Sequence, residues 1–370
     1  MQDGGGGKLR PRQKEVTAVS FGIKDIARLA GVSPATVSRI LNDPGRRCAS
    51  EEVRERVLKI AREKDYSPNG DARRLRQGSG FQPPQKKICC FFARTNAASG
   101  DQLFPALARA VEQEAVTKGC ALTLSYSVDQ TEELLCQEDG EGGKTGLIVL
   151  GRPEDPDIIL RLQKRYPYTV FTGLQRFGGA VDQVIANGRD VARTALDYLY
   201  SLGHRKIGYI GEMVRELRYD GYLDFLRERR LDCGERFAVE CAYYNYDKAY
   251  CAALTLMSRP EKPSAIFCAN DLVAFGAIGG LRSLGYQIPK DVSIISVDNV
   301  DLAQLSVPML TTMQIPHKEM AHFAVKLVTA KMDGLVTGGL TISLSCRLIV
   351  RDSAAKRPQA DPPRRRPSGR

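Results

Sequence analysis

Pro34, Ala35, Thr36, Ser38 and Arg39 place two small apolar groups, two hydroxyls and one guanidinium within six positions of one another. Such a set is suited to gripping phosphate oxygens and reading base edges. It follows Gly31-Val32-Ser33, on either side of which the apolar Ile26, Leu29, Ala30, Val32, Val37, Ile40 and Leu41 fall at helical spacings. Two short helices burying one face against each other are expected, a helix-turn-helix. Gly31 suits the left-handed end of the first helix, Ser33 the cap of the second, and Pro34 its first turn. The exposed residues then lead a helix shaped to enter a DNA major groove. A hairpin of this kind also packs enzyme cores, so its surroundings decide the reading.

Other chemistries find little support. The chain has no P-loop, no GxSxG elbow and no GxGxxG after a strand, which argues against nucleotide use and hydrolase chemistry, and an enzyme is not expected. Its ten cysteines form no CxxC pair, and the three histidines, His204, His317 and His322, have no metal-site spacing. Reduced, mostly buried thiols and no metal or other cofactor are expected. His204 in Leu202–Lys206 is read as structural.

The charge is unevenly placed. The net charge is +11, and residues 1–80 hold 17 Lys and Arg against 10 Asp and Glu, residues 81–350 hold 30 against 31, and the last twenty hold 7 against 2. A basic start around the hairpin is the electrostatic footprint of phosphate binding, with the tail a second, less specific contributor. No apolar leader and no 18-residue apolar stretch is found, so a cytoplasmic, nucleoid-associated protein outside the membrane is expected.

The elements follow in order. Residues 1–20 carry a four-glycine run without periodicity and read as a disordered extension. Ser50 opens a third helix to about Lys64, completing a headpiece over 21–66. The basic segment 66–78 is too short for a stable isolated helix and reads as a hinge that orders on DNA. The hinge and linker span 67–80, and GSGFQPPQ (78–85) is the connector. From 86 to 352 strands at 88–92, 121–126, 146–151, 168–173, 206–211, 237–242, 265–270 and 293–298 alternate with helices at about 103–118, 156–165, 190–202, 219–230, 247–258 and 271–284. That alternation predicts parallel, doubly wound α/β sheets in two lobes, with a cleft at the strands' carboxyl ends. The basic tail 353–370 is expected to be disordered; it has no leucine heptads and no tetramerisation helix.

IKDIARLAGVSPATVSRILND, YSPNGDARRL, LGHRKIGYIG, RYDGYLDFL, AIFCANDLVAFGAIGGLRSLGYQIPKDVSIISVDN and PMLTTMQIPHKEMAHFAV, in that order, resemble the lactose-repressor/galactose-repressor (LacI/GalR) family of bacterial regulators. The resemblance covers residues 22 to about 350. It implies a lambda-repressor-like three-helix headpiece and a type-I periplasmic-binding-protein-like core, with lobe 1 at about 86–185 and 313–338 and lobe 2 at about 186–312 and 339–352. It also implies a homodimer on a pseudo-palindromic double-stranded operator, whose affinity is changed by a small effector, often a sugar.

By this resemblance Pro34, Ala35 and Arg39 read bases, with Arg39 suited to guanine and Ala35 to a thymine methyl. Ser33, Thr36 and Ser38 hold phosphates, Asn42 belongs to the same DNA-contacting set, and Leu75 is the minor-groove wedge. Gly70 and Asp71 stand where relatives more often have Ala and Val. In the core Arg218, Asn270 and Asp298 match effector-contacting positions, offering a donor fork, an amide and a carboxylate to a polyol. Phe104 and Tyr244 offer ring faces to a sugar. Gly173 and Asn187 depart from a common polar pattern. The RYDGY and TMQIPHKEMAHFAV segments look most like members that control galactoside use. Two other readings stay open: a regulator sensing a non-sugar metabolite such as a purine, and an exported-type sugar-binding protein, which the headpiece disfavours.

Overall fold

The computed structural model describes residues 23–42, 49–63, 86–94, 102–136, 145–155, 157–231, 235–243 and 245–357. They fall into two compact units, divided at Gln82 and Pro83.

The first unit holds α1 (Ile23–Ala30), α2 (Pro34–Asn42) and α3 (Glu51–Glu63). Gly31 takes a φ of +68°, which turns the chain out of α1;. Ser33 caps α2: the Thr36 amide donates to Ser33 Oγ at 3.1 Å. Ser50 does the same for α3, with the Val53 amide 3.4 Å from its Oγ. Ile26, Ala27, Ala30, Val37, Ile40, Val57 and Ala61 form the buried core. Leu29, expected in the packed stripe, is instead 52% exposed, because Ile26 and Ala30 already face the small three-helix interior.

The second unit holds two six-stranded sheets. The first is built from β1 (Lys87–Phe92), β2 (Ala121–Ser127), β3 (Thr145–Leu150), β4 (Tyr168–Gly173) and β5 (Asp182–Ile185), with α4 (Leu103–Thr117), α5 (Thr131–Cys136) and α6 (Asp157–Arg165) between them. The second follows α7 (Gly188–Ser201) and is built from β6 (Ile207–Gly211), β7 (Ala238–Glu240), β8 (Ala265–Cys268), β9 (Ser293–Asp298) and β10 (Thr311–Gln314). Its helices α8 (Leu217–Glu228), α9 (Tyr246–Ser258) and α10 (Asp271–Ser283) alternate with the strands. The chain then returns through α11 (His317–Met332) and the short β11 (Thr341–Ser343) and β12 (Arg347–Ile349). The strand order is β11-β5-β4-β3-β1-β2 in one sheet and β12-β10-β9-β8-β6-β7 in the other. All pairs are parallel except β10 with β12. The α/β doubly wound expectation and the strands at 168–173 and 293–298 match the structure.

The lobe boundaries need correction. β11 pairs with β5 in the first sheet, so 341–343 belong to lobe 1 and not to lobe 2. Met313 and Gln314 sit in β10 against β9 of the second sheet, so that stretch belongs to lobe 2. β5 was not expected as a strand, because its Asp182 and Gln183 are polar. They are nevertheless buried, and their side chains act as brackets: Asp182 accepts from the Leu340 amide and pairs with Lys331, while Gln183 bonds both the amide and the carbonyl of Phe177.

The start of the tail is ordered as well. Ser353 is fully buried, donating to the Ile294 carbonyl and accepting from the Thr311 amide. His204 bonds the Ala355 carbonyl through Nε2 at 3.0 Å and Ser264 Oγ through Nδ1 at 2.9 Å, and its burial lowers its pKa, favouring the neutral ring. The expected disorder therefore does not begin at 353; residues 358–370 lie outside the described ones.

Candidate functional site

The headpiece presents its leading turn to solvent. Ser33, Pro34 and Ala35 are exposed and Thr36 half-exposed, while Val37 and Ile40 on the opposite side are buried. Ser33 Oγ and Thr36 Oγ1 lie 2.9 Å apart, so capping fixes both hydroxyls. Ser38, Arg39 and Asn42 belong to α2 by their backbone, but their side chains are outside the described set. Gly70, Asp71, Leu75 and Tyr244 lie outside the described residues altogether.

In the core, polar side chains converge on the cleft between the two sheets. Arg218, in the first turn of α8, donates through Nε to Glu216 Oε1 at 2.8 Å, through Nη2 to Glu216 Oε2 at 3.2 Å and through Nη1 to the Ala269 carbonyl at 2.6 Å. Its guanidinium lies 4.7 Å from the centre of the Tyr243 ring. Burial alone would raise the Glu216 carboxyl, but the charge and hydrogen bonds of Arg218 hold it below the ordinary glutamate value. Burial would lower Arg218, and Glu216 reverses that, raising it well above its ordinary value. The two groups are a locked pair.

Across the cleft, Arg94 follows β1 and Arg152 follows β3. Both reach the Glu212 carboxylate beyond β6: Arg94 bonds Oε1, and Arg152 bonds Oε2 at 2.5 Å. Arg152 also donates to the Val214 carbonyl at 3.1 Å. Phe104, at the start of α4, closes one wall with its ring beside Gly151; a Cβ there would lie 3.1 Å from the ring. Arg94, Arg152 and Phe104, with Glu216, Arg218, Tyr243, Gln175 and Asp298, line one cavity, while Glu212 is not part of its lining. A second of about 790 Å³ adjoins it at Leu103 and Asp298, a size suited to a small molecule.

Asp298 ends β9 with a φ of +113°, and Asn299 follows at +56°. A non-glycine backbone in this region persists only where its surroundings hold it. Here Asp271 does so, accepting from Ser296 Oγ at 2.5 Å, Thr312 Oγ1 at 2.7 Å and the Val300 amide at 2.8 Å. Arg351 adds a bond to Asn299 Oδ1 at 2.7 Å.

Burial pushes the Asp271 carboxyl from its ordinary 3.8 up to about 6, against the opposing pull of those hydrogen bonds. A raised folded value means that the folded state holds the proton more tightly. This contribution to stability is fully present below about pH 4 and is lost as pH rises through about 6. Asp271→Asn is therefore expected to flatten that part of the stability profile, read as urea midpoints between roughly pH 4 and 7. An unchanged slope would remove Asp271 as its source.

Arg218, Asp298 and Phe104 thus line one cleft. Asn270 does not join them: it caps α10, its Oδ1 accepting from the Val273 amide at 2.8 Å, and it is absent from the lining of both cavities. Its buried position just past β8 leaves it nearer the helix start than the opening. Among the described residues Tyr243 lines the cleft, while the expected Tyr244 lies outside them. Arg94, Arg152, Glu212, Glu216 and Gln175 were not anticipated. Four of these five sit one or two residues beyond a strand's carboxyl end, where open α/β sheets place ligand contacts, and that rule applied strand by strand would have found them.

The described cysteines are free, and burial pushes the Cys89 and Cys90 thiols up to about 12, which makes them poor nucleophiles;. Among the described residues no helix is long and apolar enough to cross a membrane and no group of His, Cys, Asp and Glu suits a metal.

A capped helix-turn-helix on the same chain as a two-sheet core with a polar cleft defines a ligand-binding DNA regulator. Comparison with known proteins agrees. Residues 22–69 match the model for bacterial regulatory proteins of the lacI family, and residues 196–354 match the periplasmic binding protein-like domain. The HTH-type transcriptional repressor PurR of Proteus mirabilis (strain HI4320) is 30% identical over 352 residues, spanning 92% of this chain and 98% of that protein. The repressor CytR of Escherichia coli (strain K12) is 30% identical over 359 residues, spanning 94% and 99%. In fold, the transcriptional regulator CelR in its cellobiose complex aligns with a TM-score of 0.66 at 23% identity, covering 90% of this chain and 99% of that one. The lac repressor dimer bound to operator and an anti-inducer aligns with a TM-score of 0.63 at 20% identity, covering 90% and 99%.

The chain belongs to the LacI family of bacterial regulatory proteins. It is a DNA-binding transcriptional repressor with a small-molecule-binding core, and its curated relatives are named as repressors and not as enzymes.

Proposed function

We propose that two copies of this chain act in the cytoplasm on a pseudo-palindromic operator, and that a small carbohydrate bound in the core cleft lowers their affinity for it. The observation that carries the effector reading is the cleft itself: the Arg218 fork, the Asp298 carboxylate and the Phe104 ring face one space between two lobes. Donors, acceptors and an aromatic face are what a polyol needs. The cellobiose bound to a regulator of the same fold supports this class of ligand. A ligand that binds one lobe arrangement better than the other shifts the population and with it operator affinity.

Pairing is supported by the apolar Leu302, Leu305 and Val307, which are 46%, 75% and 76% exposed in the segment joining β9 to β10; apolar patches of this kind mark interfaces. Sedimentation of the full chain should give a dimer, and a monomer at micromolar concentration would end that part. On DNA, Pro34, Ala35 and Arg39 read bases, Ser33, Thr36, Ser38 and Asn42 hold the backbone, and Leu75 wedges the operator centre.

Arg39→Ala is expected to cost about 1–3 kcal/mol on the preferred operator and to relax sequence preference, whereas removing a phosphate-contacting lysine weakens binding to all sequences alike. Competition binding at fixed salt reads both; a variant that keeps its preference would remove Arg39 as a base reader. Leu75→Ala is expected to bind with less bending. For the cleft, thermal-shift screening against neutral sugars, phosphosugars, purines and amino acids decides the ligand class. Stabilisation by a purine alone would replace the carbohydrate.

A further inference from the structure

The geometry points to an anionic carbohydrate, one carrying a carboxylate or a phosphate, whose charged group enters between Arg94 and Arg152 in place of the Glu212 carboxylate. This inference rests on the reading of the cleft as the effector site and narrows its ligand.

Three guanidinium groups from separate segments meet at one end of the cleft. The side chains of Arg94, Arg152 and Arg218 are only 20%, 16% and 9% exposed. Their commitments differ. Arg218 is held by Glu216 on two atoms and by the Ala269 carbonyl on a third, so it forms a fixed wall. Arg94 and Arg152 belong to one lobe and grip a carboxylate supplied by the other, each through its Nη2 on one Glu212 oxygen. That is the arrangement in which two guanidinium groups bind a ligand's carboxylate or phosphate, with charge-assisted, directional bonds.

One donor of this pair remains unsatisfied. The Arg152 Nε atom is buried and has no hydrogen-bond acceptor among the described residues. A buried donor without an acceptor is costly, and such atoms call for an explanation. Glu212 presents two oxygens, one already engaged by each arginine; a phosphate presents a third, and a carboxylate turned toward Arg152 can engage its Nε–Nη2 edge. Phe104, on the wall by Gly151, offers its ring to the apolar face of a sugar;.

Glu212, which does not itself line the cavity, thus serves the two lining arginines as an internal stand-in for the ligand's anion. Its exchange for a free anion removes two cross-lobe bonds, which couples occupancy to the arrangement of the lobes.

The test uses the full chain in calorimetric titration with matched sets: glucose, glucuronate and glucose 6-phosphate, and galactose with its uronate and 6-phosphate. At least one charged member is expected to bind tenfold or more tightly than its neutral parent. Arg152→Lys, which keeps the charge but loses the fork, is expected to abolish that preference. Glu212→Gln is expected to strengthen binding of the charged sugar, because the competing carboxylate is gone. Melting of each ligand-free variant confirms that it folds. Neutral and charged sugars binding equally would overturn the anion site and leave the carbohydrate reading standing. A nucleoside binding where no sugar does would overturn both. A charge preference that survives Arg152→Lys, or one that Glu212→Gln fails to strengthen, would overturn its placement at Arg94 and Arg152.

Discussion

Glu216→Ala is expected to lower the unfolding free energy of the core by about 3–5 kcal/mol, the cost of stranding a buried charge. Glu216 and Arg218 are 4% and 7% exposed. Without the carboxylate, the guanidinium keeps the Ala269 carbonyl, the face of Tyr243 and the charge of Asp298, none of which replaces its paired hydrogen bonds to Glu216. Glu216 also caps α8, accepting from the Arg218 amide at 3.0 Å, so the helix loses its cap in the same step, a contribution of about 1 kcal/mol within that range. Urea unfolding should show a lower midpoint with an unchanged slope; a loss under about 1 kcal/mol would mean that water reaches Arg218 freely.

The pair also sets a pH limb. The Glu216 carboxyl is held below its ordinary value of 4.5, so its stabilisation is present above about pH 4.5 and fades as pH falls through the lower folded value. Asp271 runs the other way, so removing Glu216 should leave the Asp271 limb in place;. The variant should bind effector poorly as well, because Arg218 loses the partner that aims it.

What could be read from the sequence followed from local chemistry. Gly31, Ser33 and Ser50 announced the helix ends, because caps and left-handed turns depend on residues three or four apart. The apolar runs at Ile88 and at Leu147 announced central strands, because a parallel strand covered on both faces needs no polar alternation. β5 stayed hidden since Asp182 and Gln183 are satisfied by partners as distant as Lys331 and Leu340. The cleft divides in the same way. Arg218, Asp298 and Phe104 lie in recognisable stretches, whereas Glu212 meets Arg94 across 118 positions and Arg152 across 60. No local pattern joins residues that only the stacking of two lobes brings together. Asn270 shows the converse: a residue of suitable chemistry at a strand end serves as a cap.

Gly276→Val is expected to destabilise the core by about 3 kcal/mol, at or beyond the upper end of ordinary overpacking. α9 and α10 cross in close contact. A Cβ at Gly276 would lie 2.5 Å from the Tyr246 carbonyl oxygen and 2.6 Å from the Ala249 Cβ, and one at Gly280 would lie 2.6 Å from the Tyr250 carbonyl oxygen. The obstacles at Gly276 include backbone, which cannot swing aside as a long side chain can, so α10 must move as a unit. Its first turn carries Asn270 and Asp271, and Asp271 fixes the Asp298–Val300 turn through the Val300 amide. Displacement at the crossing is therefore expected to reach the cleft. Gly276→Ala should cost less than the valine but still show a lowered urea midpoint, together with weaker effector binding in the surviving folded protein. If the midpoint falls while effector affinity is unchanged, α10 absorbs the strain locally and Asp271 alone holds the turn in place.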